Sequence, residues 1–167
     1  STPFRTFGTM LDCSRNAVPN LHTLKKWVDL TASLGYNTLL LYTEDTYEVP
    51  DEPYFGYMRG RYSQAELREL DAYAKKQGMT IMPCIQTLAH LYAIKRWPEY
   101  WPHFDTDDIL LAGDERVYTL IDHMFRSLAA SLSYRTIHLG MDEAEMFARG
   151  RYYNQHGDCN RSQALLA

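Results

Sequence analysis

Short apolar runs alternate along the chain with stretches in which apolar residues recur at helical spacing. Four runs have the length of buried strands, and they lie at residues 8–12, 37–42, 79–83 and 136–141. A strand that is covered on both faces is apolar throughout, whereas a strand with one face in water alternates between apolar and polar residues. The four runs therefore predict four buried parallel strands.

Three amphipathic helices are predicted between these strands. Asn20 can cap the first helix and Gly35 can end it. The second has a capping box of Ser63 and Glu66 and stops at Gly78. The third is indicated by apolar residues at helical spacing, Val117, Leu120, Ile121, Met124 and Leu128. Repeated strand–helix units of this kind build parallel sheets.

Chemically active residues concentrate after the strands, while the turns that precede the strands are short. The polar and aromatic residues that follow the first three runs include Asp12, Arg15, Glu44, Asp45, Gln86, His90 and Trp97. A TIM-type (β/α)8 barrel carries its chemistry at the carboxyl ends of its strands in this way. An open doubly wound sheet is the rival fold, but its usual glycine-rich phosphate loop is missing after the first strand.

The prediction is therefore an α/β fold of the TIM-barrel type. Residues 1–167 would supply the first four strand–helix units, the amino-terminal half of one catalytic domain. A half-barrel leaves its inner face and two strand edges uncovered, which favours association. We expect Met10, Leu39, Leu41 and Ile81 to belong to that inner face.

Composition excludes several classes of protein. With 46% hydrophobic and 23% charged residues, the chain is typical of a folded domain rather than a disordered one. Its net charge is -4 and its basic residues are scattered, so a nucleic-acid partner is not expected. No apolar run approaches the roughly 20 residues of a membrane span. Three cysteines without paired spacing favour free thiols, and hence a reducing compartment such as the cytoplasm.

The fourth apolar run ends in two adjacent carboxylates, Asp142 and Glu143. We expect Ile137, Leu139 and Met141 to pack inside the protein and the acids to begin where the strand meets its loop. A helix that begins at Asp142 would also favour acids at its start, because of the helix dipole. The residues of this run alone leave both interpretations open.

Three segments together resemble a known family. They are the run Met10–Arg15, His90 after the third strand, and the run His138–Glu143, and they resemble glycoside hydrolase family 20, the exo-acting β-N-acetylhexosaminidases. The resemblance is strongest to bacterial members and extends in order from Phe7 to about Arg151. It implies a (β/α)8 barrel that hydrolyses terminal β-linked GlcNAc or GalNAc with retention of configuration. It implies no cofactor and no metal, and its partners would be glycans that end in N-acetylhexosamine.

The resemblance also implies roles for the acid pair. Asp142 would orient and polarise the 2-acetamido group of the substrate, and Glu143 would be the general acid/base. Physical reasoning agrees, because successive side chains of a strand point to opposite sides. The pair therefore cannot flank a glycosidic bond like the two carboxylates of ordinary retaining glycosidases, about 5 Å apart.

The same family places a histidine after the third strand in a relay with an acid after the second strand. His90 matches the histidine, and the acid is either Glu44 or Asp45.

The expected substrate-binding residues are Asp12, Arg15 and Tyr42. Many members of the family carry an arginine before the glycine that opens the first strand, where this chain has Phe7 and Gly8.

Two other functions remain open. In a metal-dependent barrel hydrolase or isomerase, the ligands would come from His90, His138, Glu44, Asp45, Asp142 and Glu143. His138 is the weakest of these candidates, because it lies in the middle of a strand and is expected to point into packing. The other alternative is a non-catalytic sugar-binding module, which the intact acid pair argues against.

Overall fold

The computed structural model describes residues 3–160, 162 and 164. Three strands form a parallel sheet whose spatial order follows the chain: β1 (Gly8–Asp12), β2 (Thr38–Tyr42) and β3 (Thr80–Cys84). These correspond to the first three apolar runs.

Among the described residues, four α-helices accompany the sheet: α1 (Leu21–Ser33), α2 (Gln64–Lys76), α3 (Glu115–Ser131) and the short α4 (Arg151–His156). Two short 3-10 helices, Tyr92–Arg96 and Pro98–His103, lie between β3 and α3. The three predicted helices are confirmed, together with the amino-terminal caps predicted for the first two. Asn20 accepts a hydrogen bond from the Thr23 amide, and the capping box of Ser63 and Glu66 is complete. Asp114 caps α3. No helix among the described residues is long and apolar enough to cross a membrane.

The two faces of the sheet differ in how well they are covered. Leu39, Leu41 and Ile81 are fully buried in the core that also holds the apolar faces of the helices. Met10 is 49% exposed, and it pairs in register with Leu40, which is half-buried. The expectation that Met10 shares one face with Leu39, Leu41 and Ile81 is therefore wrong, because side chains alternate along a strand and the register puts Met10 on the opposite face.

The prediction of a fourth regular strand is wrong. Residues 136–141 run beside β3, but only a single bridge joins Cys84 to His138. Three backbone hydrogen bonds hold it, from the Ile85 amide to the His138 carbonyl (2.9 Å), from the His138 amide to the Pro83 carbonyl (3.0 Å) and from the Thr87 amide to the Gly140 carbonyl (3.5 Å). The segment nevertheless occupies the place that the next parallel strand would take.

The packing expected for this segment is only partly observed. Ile137 packs against the core, but Leu139 is 40% exposed and Met141 is 48% exposed. Their exposure contradicts the prediction, and its cause is that an open cavity, rather than close packing, lies between them and α3.

Cys13 and Cys84 are buried and unpaired, which agrees with the expected free thiols. Burial raises the pKa of each thiol to about 11. Both side chains therefore stay neutral and pack as small apolar groups.

Candidate active site

The three strands end at one edge of the sheet, and the polar side chains that follow them meet there. Asp12 and Tyr42 are the last residues of β1 and β2, and they pair in register. Glu44 and Gln86 each lie two residues beyond the end of a strand. A spacing of two keeps a side chain on the same side of an extended chain, so all four residues are directed toward one region.

Arg15, Tyr42 and Glu44 form a cluster at this edge. The Arg15 Nε lies 3.5 Å from Glu44 Oε1, and its Nη2 donates to the Tyr42 hydroxyl at 3.2 Å. That hydroxyl in turn donates to Glu44 Oε1 at 3.2 Å. The Arg15 guanidinium also lies over the Tyr42 ring, 5.3 Å from its centre. The structure therefore brings two of the three predicted substrate-binding residues into direct contact.

The third of them, Asp12, lies beside Arg15. Its Oδ1 accepts hydrogen bonds from the Ser14 amide and hydroxyl, both at 2.9 Å, and its Oδ2 lies 3.8 Å from Arg15 Nε. Partial burial acts to raise the pKa of Asp12, but the hydrogen bonds from Ser14 and Arg15 lower it, and the pKa is lowered overall. Asp12 is therefore a stable carboxylate at the rim of the cluster.

Burial raises the pKa of each of the two other acidic groups of the cluster. Loss of solvent raises the pKa of Glu44, although Tyr42 and Arg15 act against the shift. Burial likewise raises the pKa of the Tyr42 hydroxyl to about 12, so the hydroxyl keeps its proton. Tyr42 is thus a permanent donor to Glu44 and an acceptor for Arg15.

Gln86 joins this cluster to the acid pair. Its side chain is buried, and its Nε2 lies 3.1 Å from the Tyr42 hydroxyl and 3.4 Å from Asp142 Oδ1. Gln86 is one of the polar residues that follow the third predicted strand, and the sequence alone assigned it no role. The only feature of the sequence that could have indicated a role for it is the position of an amide residue just after an apolar strand.

His90 lies against the acid pair from the other side. Its Nε2 is 3.3 Å from Glu143 Oε2 and 3.8 Å from Asp142 Oδ2, and neither contact has the geometry of a hydrogen bond. The His90 side chain is 16% exposed, whereas those of Asp142 and Glu143 are 59% and 72% exposed. A cavity of about 590 Å³ opens here, lined by His90, Thr106, Asp107, Asp108, Ile109, Glu143, Glu145 and Met146.

His90 and Glu143 both have left-handed backbone conformations, with φ of 60° and 53°. Residues other than glycine rarely adopt this region, and such conformations cluster at functional sites. Met58 and Ala148 share this conformation, whereas His90 and Glu143 are also in contact with each other.

The structure does not bring Glu44 or Asp45 to His90. The contacts of Glu44 go to Arg15 and Tyr42. Asp45 is buried and accepts a hydrogen bond from Arg59 at 3.2 Å. The predicted relay between His90 and an acid after the second strand is therefore not formed among the described residues.

His138 does not point into packing as the sequence suggested. It is exposed, and its Nδ1 accepts a hydrogen bond from the Gly140 amide at 3.2 Å. His138 points to the opposite side from Leu139, and this side of the segment is exposed as well.

Of the six candidate metal ligands, three lie together. His90, Asp142 and Glu143 offer ligand atoms within 4.8 Å of one another. The expectation that the two carboxylates point to opposite sides is therefore wrong, because residues 142 and 143 do not lie in a strand. His138, Glu44 and Asp45 make the other contacts described above. One histidine and two carboxylates could hold a divalent cation, so the alternative of a metal-dependent enzyme narrows to these three residues.

Comparison with known proteins gives a consistent result. Residues 3–166 match the family described as glycosyl hydrolase family 20, catalytic domain. A beta-hexosaminidase from Vibrio furnissii is 28% identical over 84% of this chain and 29% of its own length. Another from Akkermansia muciniphila is 28% identical over 82% of this chain and 34% of its own length. The chain thus spans about a third of the length of these curated relatives.

Solved structures show the same fold. A GH20 exo β-N-acetylglucosaminidase from Vibrio harveyi, in complex with N-acetylglucosamine, matches 98% of this chain and 32% of its own, with a TM-score of 0.84 and 22% identity. A β-N-acetylhexosaminidase from Bacteroides fragilis matches 81% of this chain and 31% of its own, with a TM-score of 0.71 and 25% identity.

Proposed function

The chain belongs to glycosyl hydrolase family 20, and we propose that the protein is an exo-β-N-acetylhexosaminidase. It removes terminal GlcNAc or GalNAc from β-linked glycans. The observation that carries the proposal is the Asp142–Glu143 pair, which lies beside His90 and next to a cavity at the carboxyl edge of the sheet. The names of the curated relatives, both beta-hexosaminidases, support the same activity.

The two carboxylates have different tasks in the proposed reaction. Asp142 accepts a hydrogen bond from the acetamide N–H of the substrate. The acetamide carbonyl oxygen then attacks the anomeric carbon while the glycosidic C–O bond breaks. Glu143 gives its proton to the leaving oxygen. Water, deprotonated by Glu143, opens the resulting oxazolinium ion from the opposite face, so the configuration is retained.

His90 contributes to the placement of Glu143 in this proposal. It is the group nearest to the Glu143 carboxylate, at 3.3 Å, and it is largely shielded from solvent. A fixed imidazole on one side of an exposed carboxylate restricts the directions in which the carboxylate can turn. Orientation of this kind is a major source of rate enhancement in enzymes.

Arg15 is the proposed ligand of the sugar hydroxyls, together with Asp12 and Tyr42. Its guanidinium is held by Glu44 and Tyr42, yet its side chain remains 56% exposed and available to a ligand. Phe7 stands where the family often has an arginine, and its ring stacks on Tyr36 at 4.2 Å. Phe7 therefore cannot replace the missing cation, and Arg15 is the cation held within the cluster.

We also propose that residues 1–167 form the first strand–helix units of a (β/α)8 catalytic barrel. Support comes from the parallel sheet in chain order and from its fit to larger solved structures of the family. The remaining walls of the sugar pocket would come from further units.

Product analysis with the full-length protein tests the function. NMR should show release of the β-anomer of GlcNAc from a β-linked GlcNAc disaccharide, and an oxazoline-like thiazoline should inhibit. Equal rates on a plain β-glucoside, which lacks the acetamide, would contradict the proposal. EDTA should leave the rate unchanged; a loss that divalent metal restores would favour the metal-dependent alternative at His90, Asp142 and Glu143.

A further inference from the structure

We propose that Gln86 is a positioning residue that holds Asp142 in the orientation needed to receive the acetamide of the substrate. The proposal rests on the function argued above and adds to it a residue that links the two ends of the site. Gln86 acts through Asp142 and need not touch the reacting atoms.

The contacts of the Gln86 amide carry the inference. A side-chain amide nitrogen has two N–H donors. Both contacts of Gln86 Nε2 are acceptors in the site, the Tyr42 hydroxyl at 3.1 Å and Asp142 Oδ1 at 3.4 Å. The Asp142 side chain is 59% exposed, and Gln86 gives the only hydrogen bond to it among the described residues. Without Gln86, little would fix the direction of this carboxylate.

The backbone on both sides of Gln86 is tied to the segment that carries Asp142. The Ile85 amide donates to the His138 carbonyl at 2.9 Å, and the Thr87 hydroxyl donates to the Leu139 carbonyl at 3.0 Å. Because the flanking residues are anchored in this way, the amide of Gln86 cannot shift independently of the Asp142 segment.

Gly140 brings that segment against Gln86. A Cβ on Gly140 would lie 2.7 Å from Gln86 Cδ and 2.2 Å from the Ile85 carbonyl oxygen. Only a residue without a side chain permits this approach. The fold therefore keeps the Gln86 amide and the Asp142 segment in close contact.

An amide suits this position better than an acid. Asp142 must accept a hydrogen bond from the acetamide N–H, and a side-chain amide can donate to one carboxylate oxygen without adding a second negative charge beside it. The hydrogen bond to Oδ1 leaves Oδ2 for the substrate. The Gln86 Oε1 is buried and has no partner within the part of the chain that the structure describes. The same amide also reaches Tyr42, so the cluster of Arg15, Tyr42 and Glu44 is coupled to Asp142.

Two substitutions in the full-length protein test the proposal. Gln86→Met keeps a similar length but removes both donors. It should lower kcat on an aryl β-GlcNAc substrate by about 10- to 100-fold with little change in KM, as expected when a reacting group is misplaced. The inhibition constant of the thiazoline should rise by a similar factor. Gln64→Met is the matched control, because the Gln64 amide bonds Ser127 outside the site, and it should leave all these values unchanged.

Gln86→Glu gives a readout that a merely structural role would not produce. The new carboxylate would face Asp142 at about the distance of the present hydrogen bond, and two like charges there repel. Protonation of one of them at lower pH restores a donor. The variant should therefore be weak at neutral pH and recover activity as the pH falls, so that its optimum lies at a lower pH than that of the native protein.

The outcomes separate the two proposals. If the native protein releases no N-acetylhexosamine, the proposed function fails. If the native protein is active but Gln86→Met keeps its kcat, or Gln86→Glu keeps the native pH profile, the role of Gln86 is wrong. A loss of activity in Gln86→Met that follows a fall in Tm, with thiazoline binding unchanged, would also contradict positioning.

Discussion

At the scale of single residues, the candidate site is built around two strained positions, His90 and Glu143. A residue other than glycine with a positive φ costs about 1–3 kcal/mol, and the surrounding structure must hold it there. The two side chains that these conformations direct lie 3.3 Å apart. Because both residues of this contact are strained, we infer that the fold maintains the contact between them.

The first prediction concerns Glu143. Glu143→Gln removes the proposed proton donor and should slow hydrolysis of substrates with poor leaving groups by roughly 10²–10⁴-fold. Activated aryl glycosides need less protonation and should lose less. Steady-state kinetics on a GlcNAc disaccharide and on a nitrophenyl glycoside would measure both losses. Equal losses on the two substrates would assign Glu143 another role.

The second prediction concerns Glu44, whose pKa is raised by burial. A carboxyl with a raised pKa contributes stability below the ordinary carboxyl range and loses it as the pH rises through the raised value. Glu44→Gln removes this titration. The variant should therefore have a higher Tm than the native protein at pH 7, and the gap should shrink as the pH falls through the carboxyl range.

Thermal unfolding at several pH values checks this prediction. Glu99→Gln, at an exposed position, is the control and should show no such trend. A constant gap between Glu44→Gln and the native protein across this range would contradict the argument from burial.

The sequence indicated the acid pair and His90 as candidate site residues, but it did not predict which side chains contact one another in the site. A resemblance in order along the chain identifies Asp142, Glu143 and His90 without any knowledge of distances. The partners of Glu44 and the bridging role of Gln86 depend on how segments that are far apart in sequence lie next to each other in the fold. Gln86 and Asp142 are 56 positions apart, and no local pattern records such a contact.

At the scale of elements, local signals were reliable and non-local ones were not. The caps at Asn20 and Ser63 depend on residues within one helical turn, and the structure confirms them. The segment 136–141 looks like a strand by its apolar pattern, but a strand also needs a partner along its length. Its single bridge to β3 shows that apolar character alone does not determine pairing.

The third prediction belongs to this segment. Gly140→Ala would place a Cβ 2.2 Å from the Ile85 carbonyl oxygen, so the segment must move away from β3. We expect a loss of about 1–3 kcal/mol in the free energy of unfolding and a fall in kcat, because the movement separates Gln86 from Asp142. Denaturant unfolding and kinetics on the full-length protein would measure the two effects.

A matched variant separates backbone conformation from steric overlap. Gly78 also has a positive φ of 75°, but a Cβ there would meet nothing within 4 Å. Gly78→Ala should therefore cost less stability than Gly140→Ala and leave kcat unchanged. If the two variants behave alike, the close approach of Gly140 to β3 is not important for the site.

At the scale of the whole molecule, the uncovered apolar surface is the main feature. Met10, Leu139 and Met141 are all 40% or more exposed. A cavity of about 250 Å³ with apolar walls lies between α3 and the segment 136–141, lined by residues that include Leu88, Val117, Ile121, Phe125, Leu139 and Met141. Exposed apolar side chains and an apolar cavity of this kind usually mark a place where other protein packs.

The fourth prediction follows from this surface. Residues 1–167 expressed alone should associate into dimers or larger species and should not hydrolyse a chromogenic GlcNAc substrate, because the proposed barrel takes further walls of the sugar pocket from other strand–helix units. Sizing chromatography and an enzyme assay would decide it. An active monomer of 19.4 kDa would show that these residues form a complete catalytic unit.

The order of the strands in the sheet, which equals their order in the chain, also bears on synthesis at the ribosome. β2 is laid against β1, and β3 against β2, so each new strand finds its neighbour already translated. Helices α1 and α2 emerge between them and can cover the growing sheet at once. The strands of this sheet can therefore pair in the order in which they are synthesised, without waiting for a later strand to be inserted between earlier ones.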